Sequence, residues 1–250
     1  MKSYVVHLIR HGTTAGNEQG RYVGSTDLPL SAAGEKRLRR LRSGRGYPEA
    51  QVCLSSPMKR CTETLRILYP EAKPILVRDF RECDFGEWEG KTAREIAASD
   101  ERFRRWISGG GGQPVVPPGG ESGGEFARRV CAAFERLVEG MMRSGTLSAV
   151  IVAHGGVLMA VLSAYGLPRA KFYDWMTQPG CGYSMRITPG LWMRSKVGEV
   201  FAKIPAGPGN GGDRSERIVL DLAREAADRA YGEKEGKDKR ENPQGNGEEK

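Results

Sequence analysis

Short runs rich in Val, Ile and Leu alternate along this chain with segments whose apolar residues recur every three or four positions. Runs of the first kind are strands and segments of the second kind are amphipathic helices. The strands predicted in this way run from Ser3 to Ile9, Gln51 to Ser55, Pro74 to Val77, Leu147 to Ala153 and Tyr183 to Ile187. A helix follows most of them, which is the pattern of an α/β fold: a three-layer α/β/α sandwich around a mostly parallel sheet.

Ser56 as N-cap and Pro57 at the first helical position predict a helix whose Met58, Cys61, Leu65 and Leu68 form one stripe, leaving Arg60 off it. A long helix is expected from Glu125 to Arg143, with Phe126, Val130, Phe134, Leu137 and Met141 at helical spacing. Between Gly109 and Gly124 most residues are Gly or Pro, so that stretch reads as a loop or lid hinge.

The compact domain is expected to span 1–205. Residues 206–231 then read as a Gly/Pro hinge followed by an amphipathic helix, with Ile218, Leu222 and Ala226 on one side and Asp213 and Glu216 spaced as in a capping box. Residues 232–250 hold no apolar side chain and are expected to be disordered. No internal repeat is visible.

A chain of 250 residues is long enough to bury a core without disulfides or a structural metal. Its five cysteines (Cys53, Cys61, Cys83, Cys131 and Cys181) are odd in number and widely spaced, without the pairing of a metal or redox site. They suit a reducing cytoplasm. No apolar run approaches a membrane span, and the stretch from Tyr4 to Ile9 is too short for a signal-peptide core and is closed by Arg10.

The formal charge is +8, while Ala206 to Lys250 holds 9 basic and 11 acidic residues, so the excess sits on the folded part. Its basic residues are spread over several helices without a nucleic-acid signature, which leaves a small anion as the better partner.

Two of the three histidines stand at the ends of predicted strands in glycine-flanked turns, as Arg10-His11-Gly12 and Ala153-His154-Gly155-Gly156. In open α/β sheets ligands bind outside the carboxyl ends of the strands, and glycines there let backbone N–H groups approach an anion. Arg10 and Arg60 add planar forks suited to phosphate oxygens, and Asn17 adds an uncharged donor. His7, mid-strand between Val6 and Leu8, reads as structural.

With these residues in view, Leu8-Ile9-Arg10-His11-Gly12-Thr13-Thr14 followed by Asn17 resembles the signature of the histidine phosphatase superfamily, whose fold is phosphoglycerate mutase-like. Gly20-Arg21, Gly24, Asp27, Pro29-Leu30-Ser31 and Gly34 resemble its second loop and first helix. Ser55-Ser56-Pro57-Met58-Lys59-Arg60 resembles its arginine helix, Arg81-Glu82-Cys83-Asp84-Phe85-Gly86-Glu87-Trp88-Glu89-Gly90 its acid segment, and Val152-Ala153-His154-Gly155-Gly156 its second histidine. The resemblance covers about four fifths of the chain and leaves out everything after Pro205.

It implies a phosphomonoesterase in which His11 is the phosphorylated nucleophile, Glu82 the proton donor, and Arg10, Asn17, Arg60 and His154 hold the phosphoryl group. No metal or other cofactor is implied. The partner is a small-molecule phosphate ester, with no nucleic acid and no membrane; a homodimer and a partner for the tail are left open.

Cys83 and Asp84 stand after Glu82 where resembling mutases carry a basic residue, which favours hydrolysis over a 2,3-bisphosphoglycerate-dependent mutase. The intact set His11, Glu82 and His154 disfavours a non-catalytic phosphate-binding scaffold. The acid segment, Pro117-Pro118-Gly119-Gly120-Glu121-Ser122 and Gln178-Pro179-Gly180-Cys181 look similar to the α-ribazole phosphatase branch. Tyr22, Trp88 and Trp106 are expected near the site mouth, where aromatic faces would suit a flat heteroaromatic group such as that of α-ribazole 5′-phosphate.

Overall fold

The computed structural model describes residues 2–44, 46–107 and 115–206. The amphipathic helix and tail expected after residue 206 lie outside the described residues. Seven strands form one sheet: β1 (Tyr4–Arg10), β2 (Val52–Ser55), β3 (Ile75–Leu76), β4 (Ser148–Ala153), β5 (Gly166–Leu167), β6 (Gly182–Ile187) and β7 (Gly198–Ile204). The helices are α1 (Ala15–Glu18), α2 (Ala32–Ser43), α3 (Lys59–Leu68), α4 (Ala93–Ser99), α5 (Arg102–Ile107), α6 (Gly123–Ser144), α7 (Gly155–Tyr165) and α8 (Pro189–Ser195).

The strand order is β3-β2-β4-β1-β6-β7-β5. From β3 to β1 the strands run parallel. Beyond β1 the sheet is mixed, because β6 is antiparallel to β1 and β7 antiparallel to β6. The parallel character expected from the sequence thus belongs to one half of the sheet, the half joined by helical crossovers.

Alternation along the central strands divides the core into two layers. Val6, Leu8, Ala149 and Ile151 pack with α6 and α7 residues on one face. Ile9, Val150 and Val152 face Leu38 of α2 and Cys61 and Leu65 of α3 on the other. This is the three-layer sandwich.

Three expectations are corrected. The long helix starts at Gly123, because Ser122 and Glu125 close a capping box that draws the two glycines into the first turn. Neither β5 nor β7 is among the predicted strands; β7 exposes alternate residues, so its run lacks a strong apolar signal. The helix after β2 begins at Lys59, with Met58 in the N-cap position and no cap from its own side chain. Its first N–H is received instead by Asp27, whose Oδ1 accepts from Lys59 N at 2.7 Å. Ser56 has another task, described below.

Candidate active site

Register in the parallel half brings three strand ends level. Arg10 pairs with Ala153 across β1 and β4, and Ser55 with Val152 across β2 and β4. The residues that follow, Ser56, His11 and His154, therefore emerge side by side at the carboxyl edge of the sheet. The rings of His11 and His154 have centroids 5.2 Å apart.

His11 is buried, and its Nδ1 lies 2.6 Å from Gly12 O. A carbonyl can only accept, so Nδ1 carries the proton and Nε2 keeps a lone pair. Burial first, then the charges of Arg60 and Arg10, push the His11 pKa well below its usual value. The imidazole is neutral at neutral pH and presents an unprotonated Nε2. Thr64 holds the turn by accepting from Gly12 N at 2.8 Å while donating to Arg60 O at 2.6 Å.

Arg60 is almost fully buried at 1% exposure, which only a well-partnered guanidinium tolerates. Its Nη2 donates to Gly24 O at 2.7 Å, Nη1 to Thr26 O at 2.8 Å and Nε to His154 Nδ1 at 3.2 Å. Accepting at Nδ1 makes His154 the Nε2–H tautomer, whose proton is given to Ser56 Oγ at 2.9 Å. Both ring nitrogens of His154 are thus engaged within the protein. The family resemblance implies direct contact between His154 and the phosphoryl group; in this structure the ring also meets Arg60 and Ser56. Burial and the Arg60 charge also hold the His154 pKa well below the usual range.

Residues 24–26, which receive Arg60, are fastened from below. The Glu89 carboxylate accepts from Gly24 N at 2.9 Å, Ser25 N at 2.9 Å, Thr26 Oγ1 at 2.6 Å and Phe85 N at 3.1 Å. Gly24 itself cannot carry a side chain, since a Cβ would collide with Cys83 O. Arg10 is anchored by Nη1 to Thr177 O at 2.6 Å. Asn17 spends its Oδ1 on Thr14 in a capping box at the start of α1, so its amide N–H groups are the part that could serve an anion.

Glu82 comes from the segment between the turn Arg78–Phe80 and the turn Gly86–Trp88. One carboxylate oxygen accepts from Cys83 N at 3.0 Å and the other from Gly156 N in the first turn of α7 at 2.9 Å. The carboxyl comes this close to α7 because residue 156 is a glycine, since a Cβ there would push Glu82 Oε1 aside. Burial raises the Glu82 pKa despite these N–H bonds and the two arginines, so the acid form is favoured relative to a free carboxyl.

Glu82 opens onto a cleft of about 480 Å³ lined by Ser25, Arg81, Asp84, Gly119, Glu121 and Arg129, among others. Tyr22, Trp88 and Trp106 do not line it. They pack with Phe85 and Phe103 in edge-on and stacked contacts of 5.2–6.0 Å between ring centroids, over Ile96 of α4. Trp88 is fully buried and gives its indole N–H to Asp100 at 3.1 Å. The expectation of an exposed aromatic face is corrected for Trp88, which is buried in a small second core with Ile96 and Phe103, while Tyr22 and Trp106 pack on that core and stay part-exposed. His7 is structural as expected, buried with its Nδ1 2.8 Å from Ser184 Oγ.

The sequence-predicted residues Arg10, His11, Arg60, Glu82 and His154 converge on one centre, while Asn17 bonds with Thr14 in the turn that follows His11. Ser56, Thr64, Glu89 and Arg129 enter the same network, a role that the sequence reading does not give them. Glu89 has a signal, as an acid inside the quoted segment; Thr64 has none.

Fold and site together define an α/β protein with a buried, cation-lined histidine centre built to receive a phosphoryl group. The chain belongs to the histidine phosphatase superfamily, whose branch 1 model matches residues 6–199. It is a phosphatase, acting on a small-molecule phosphate ester.

Among its relatives is the adenosylcobalamin/alpha-ribazole phosphatase of Escherichia coli K12, 28% identical over 178 residues that cover 70% of this chain and 85% of that one. The structure of TTHB049 from Thermus thermophilus matches with a TM-score of 0.59 at 31% identity, covering 81% of this chain and 99% of that one. The alpha-ribazole phosphatase structure from Shigella flexneri shares the fold with a TM-score of 0.67 at 24% identity, over 82% and 99% of the two chains. No helix among the described residues is long and apolar enough to cross a membrane.

Proposed function

We propose that the enzyme hydrolyses its ester in two transfers through His11. The Nε2 lone pair attacks phosphorus, the bond from phosphorus to the ester oxygen breaks, and Glu82 gives its proton to the departing alcohol. Water then attacks the phosphohistidine, Glu82 takes back a proton, and inorganic phosphate leaves with His11 restored. Arg10, Arg60, Asn17 and His154 hold the phosphoryl oxygens. Positioning and fixed positive charge are the main contributions that a protein can make to this reaction.

The observation that carries the reading is the hydrogen bond from His11 Nδ1 to Gly12 O, which leaves Nε2 unprotonated beside two guanidinium groups. His11→Ala should abolish turnover, and rapid quenching should trap phosphate on His11. Label on another residue, or activity lost to a chelator and restored by a divalent ion, defeats the mechanism.

For the substrate we infer α-ribazole 5′-phosphate, on the strength of the relatives' names and the resemblance of the acid segment; the aromatic residues lend no support. The comparison that decides is kcat/KM for the ribazole phosphate, nucleoside monophosphates and 3-phosphoglycerate, with mutase turnover assayed separately. Isomerisation of phosphoglycerate, or its faster hydrolysis, sinks the assignment. We also propose that residues 1–205 are the catalytic unit, since every residue named here lies within them. Deletion from residue 207 onward, sparing the Ala206 N to Gly46 O bond of 2.8 Å, should leave kcat within about twofold of the full chain, a change of about 0.4 kcal/mol at most.

A further inference from the structure

Arg129 on α6 faces the acid segment and donates from all five of its N–H groups, the full complement of a guanidinium. Nε and Nη2 clasp the two carboxylate oxygens of Glu121, each at 2.7 Å. Nη1 donates to Asp79 O and Arg81 O at 2.9 Å, and the second Nη2 proton goes to Glu82 O at 2.9 Å. The carbonyls of 81 and 82 belong to the peptide groups on either side of the Glu82 Cα. One side chain therefore fixes both backbone torsions of the acid.

Glu121 is tied in turn, its N–H donating to Asp84 O at 2.9 Å. Arg129 and Glu121 are only about one fifth exposed, so this is not a loose surface pair, which would contribute little.

We propose that Arg129, clasped by Glu121, is a positioning residue of the proton-transfer step, which acts on the reaction by holding the backbone of Glu82. The proposal rests on Glu82 being the general acid. Lysine cannot replace it, because a compact ammonium with three donors does not span five acceptors arrayed around a planar fork. The carboxyl is placed from two sides, by α6 through the main chain and by Gly156 N of α7 through the side chain.

The test compares an aryl phosphate having a good leaving group with an alkyl phosphate, in wild type, Arg129→Lys, Glu82→Gln and the double variant. An aryl oxide departs without needing a proton, so an acid that is out of place is felt by the alkyl ester alone. Arg129→Lys should lower kcat/KM for the alkyl ester about 10- to 100-fold, the usual consequence of a displacement on the order of 1 Å. The aryl ester and the inhibition constant of inorganic phosphate should stay within about twofold. In the double variant the alkyl rate should fall no further than in Glu82→Gln, because the two residues act as one unit.

Equal losses on both esters, or losses that multiply in the double variant, overturn the proposal and leave Arg129 a structural residue. A Glu82→Gln enzyme that loses equally on both esters overturns the acid assignment itself, and that failure is visible without any Arg129 variant. Should Arg129→Lys not fold, Glu121→Gln, which weakens the clasp without touching α6, carries the same comparison.

Discussion

His11 and Glu82 meet the same burial and are pushed by it in opposite directions. Loss of water disfavours the charged form of each, so the imidazole pKa falls and the carboxyl pKa rises. Each shift favours the neutral species that the proposed nucleophile and acid require. The sign of the pH dependence follows. The imidazole is already deprotonated well below pH 6.5, so it imposes no limb near neutrality. The activity in kcat/KM should decline as pH rises through the elevated Glu82 pKa. That alkaline limb should be seen with alkyl esters and be absent with a nitrophenyl ester, and in Glu82→Gln the alkyl esters should lose about 10²-fold or more at low pH with the limb gone. An unchanged limb in the variant assigns it to another group.

At the scale of elements, α3 carries Arg60 but does not cap itself. Asp27, 32 residues earlier, accepts its first N–H, and Asp27→Ala should cost about 0.5–2 kcal/mol, as lost N-caps do. Urea unfolding reads this directly as a lower midpoint at unchanged slope; an unmoved midpoint shows that solvent replaces the cap.

The same element shows what the chain makes legible. His11, His154 and Arg60 can be found because each sits beside its own strand end or helix start, inside a local pattern. The partners that fix them cannot, since Glu89 reaches Gly24 across 65 residues, Ser56 reaches His154 across 98 and Arg129 reaches Glu82 across 47. Ser56 and Pro57 do spell a helix start by local rules. In the structure the Ser56 hydroxyl meets His154 Nε2 and the helix starts at Lys59. Trp88 and Tyr22 lie close in sequence to the proposed site residues, and only the structure shows that both pack against Phe103.

For the whole molecule, the three histidines are all buried with lowered pKa values, that of His7 falling to about 4. Between pH 6.5 and about 4 the unfolded chain takes up protons that the folded chain refuses, so stability must fall as pH falls. The lowered carboxyl pKa values of Glu95, Asp100 and Glu125 act in the same direction further down, and the raised one of Glu82 opposes them. A melting temperature that declines steadily from about pH 7 to about pH 4.5 is expected, with a shallower decline in His7→Asn; a flat profile contradicts it.

The level strand ends at the carboxyl edge have a further consequence, for evolution by fragments. The proposed nucleophile, the arginine helix, the proposed acid and the second histidine enter from four separate excursions of the chain, and the strand that leads to the last of them, β4, lies between β1 and β2. A fragment that ended before β4 would hold Arg10, His11, Arg60 and Glu82 but not the strand that sets the ends of β1 and β2 level. Half of this molecule would therefore be no feeble phosphatase.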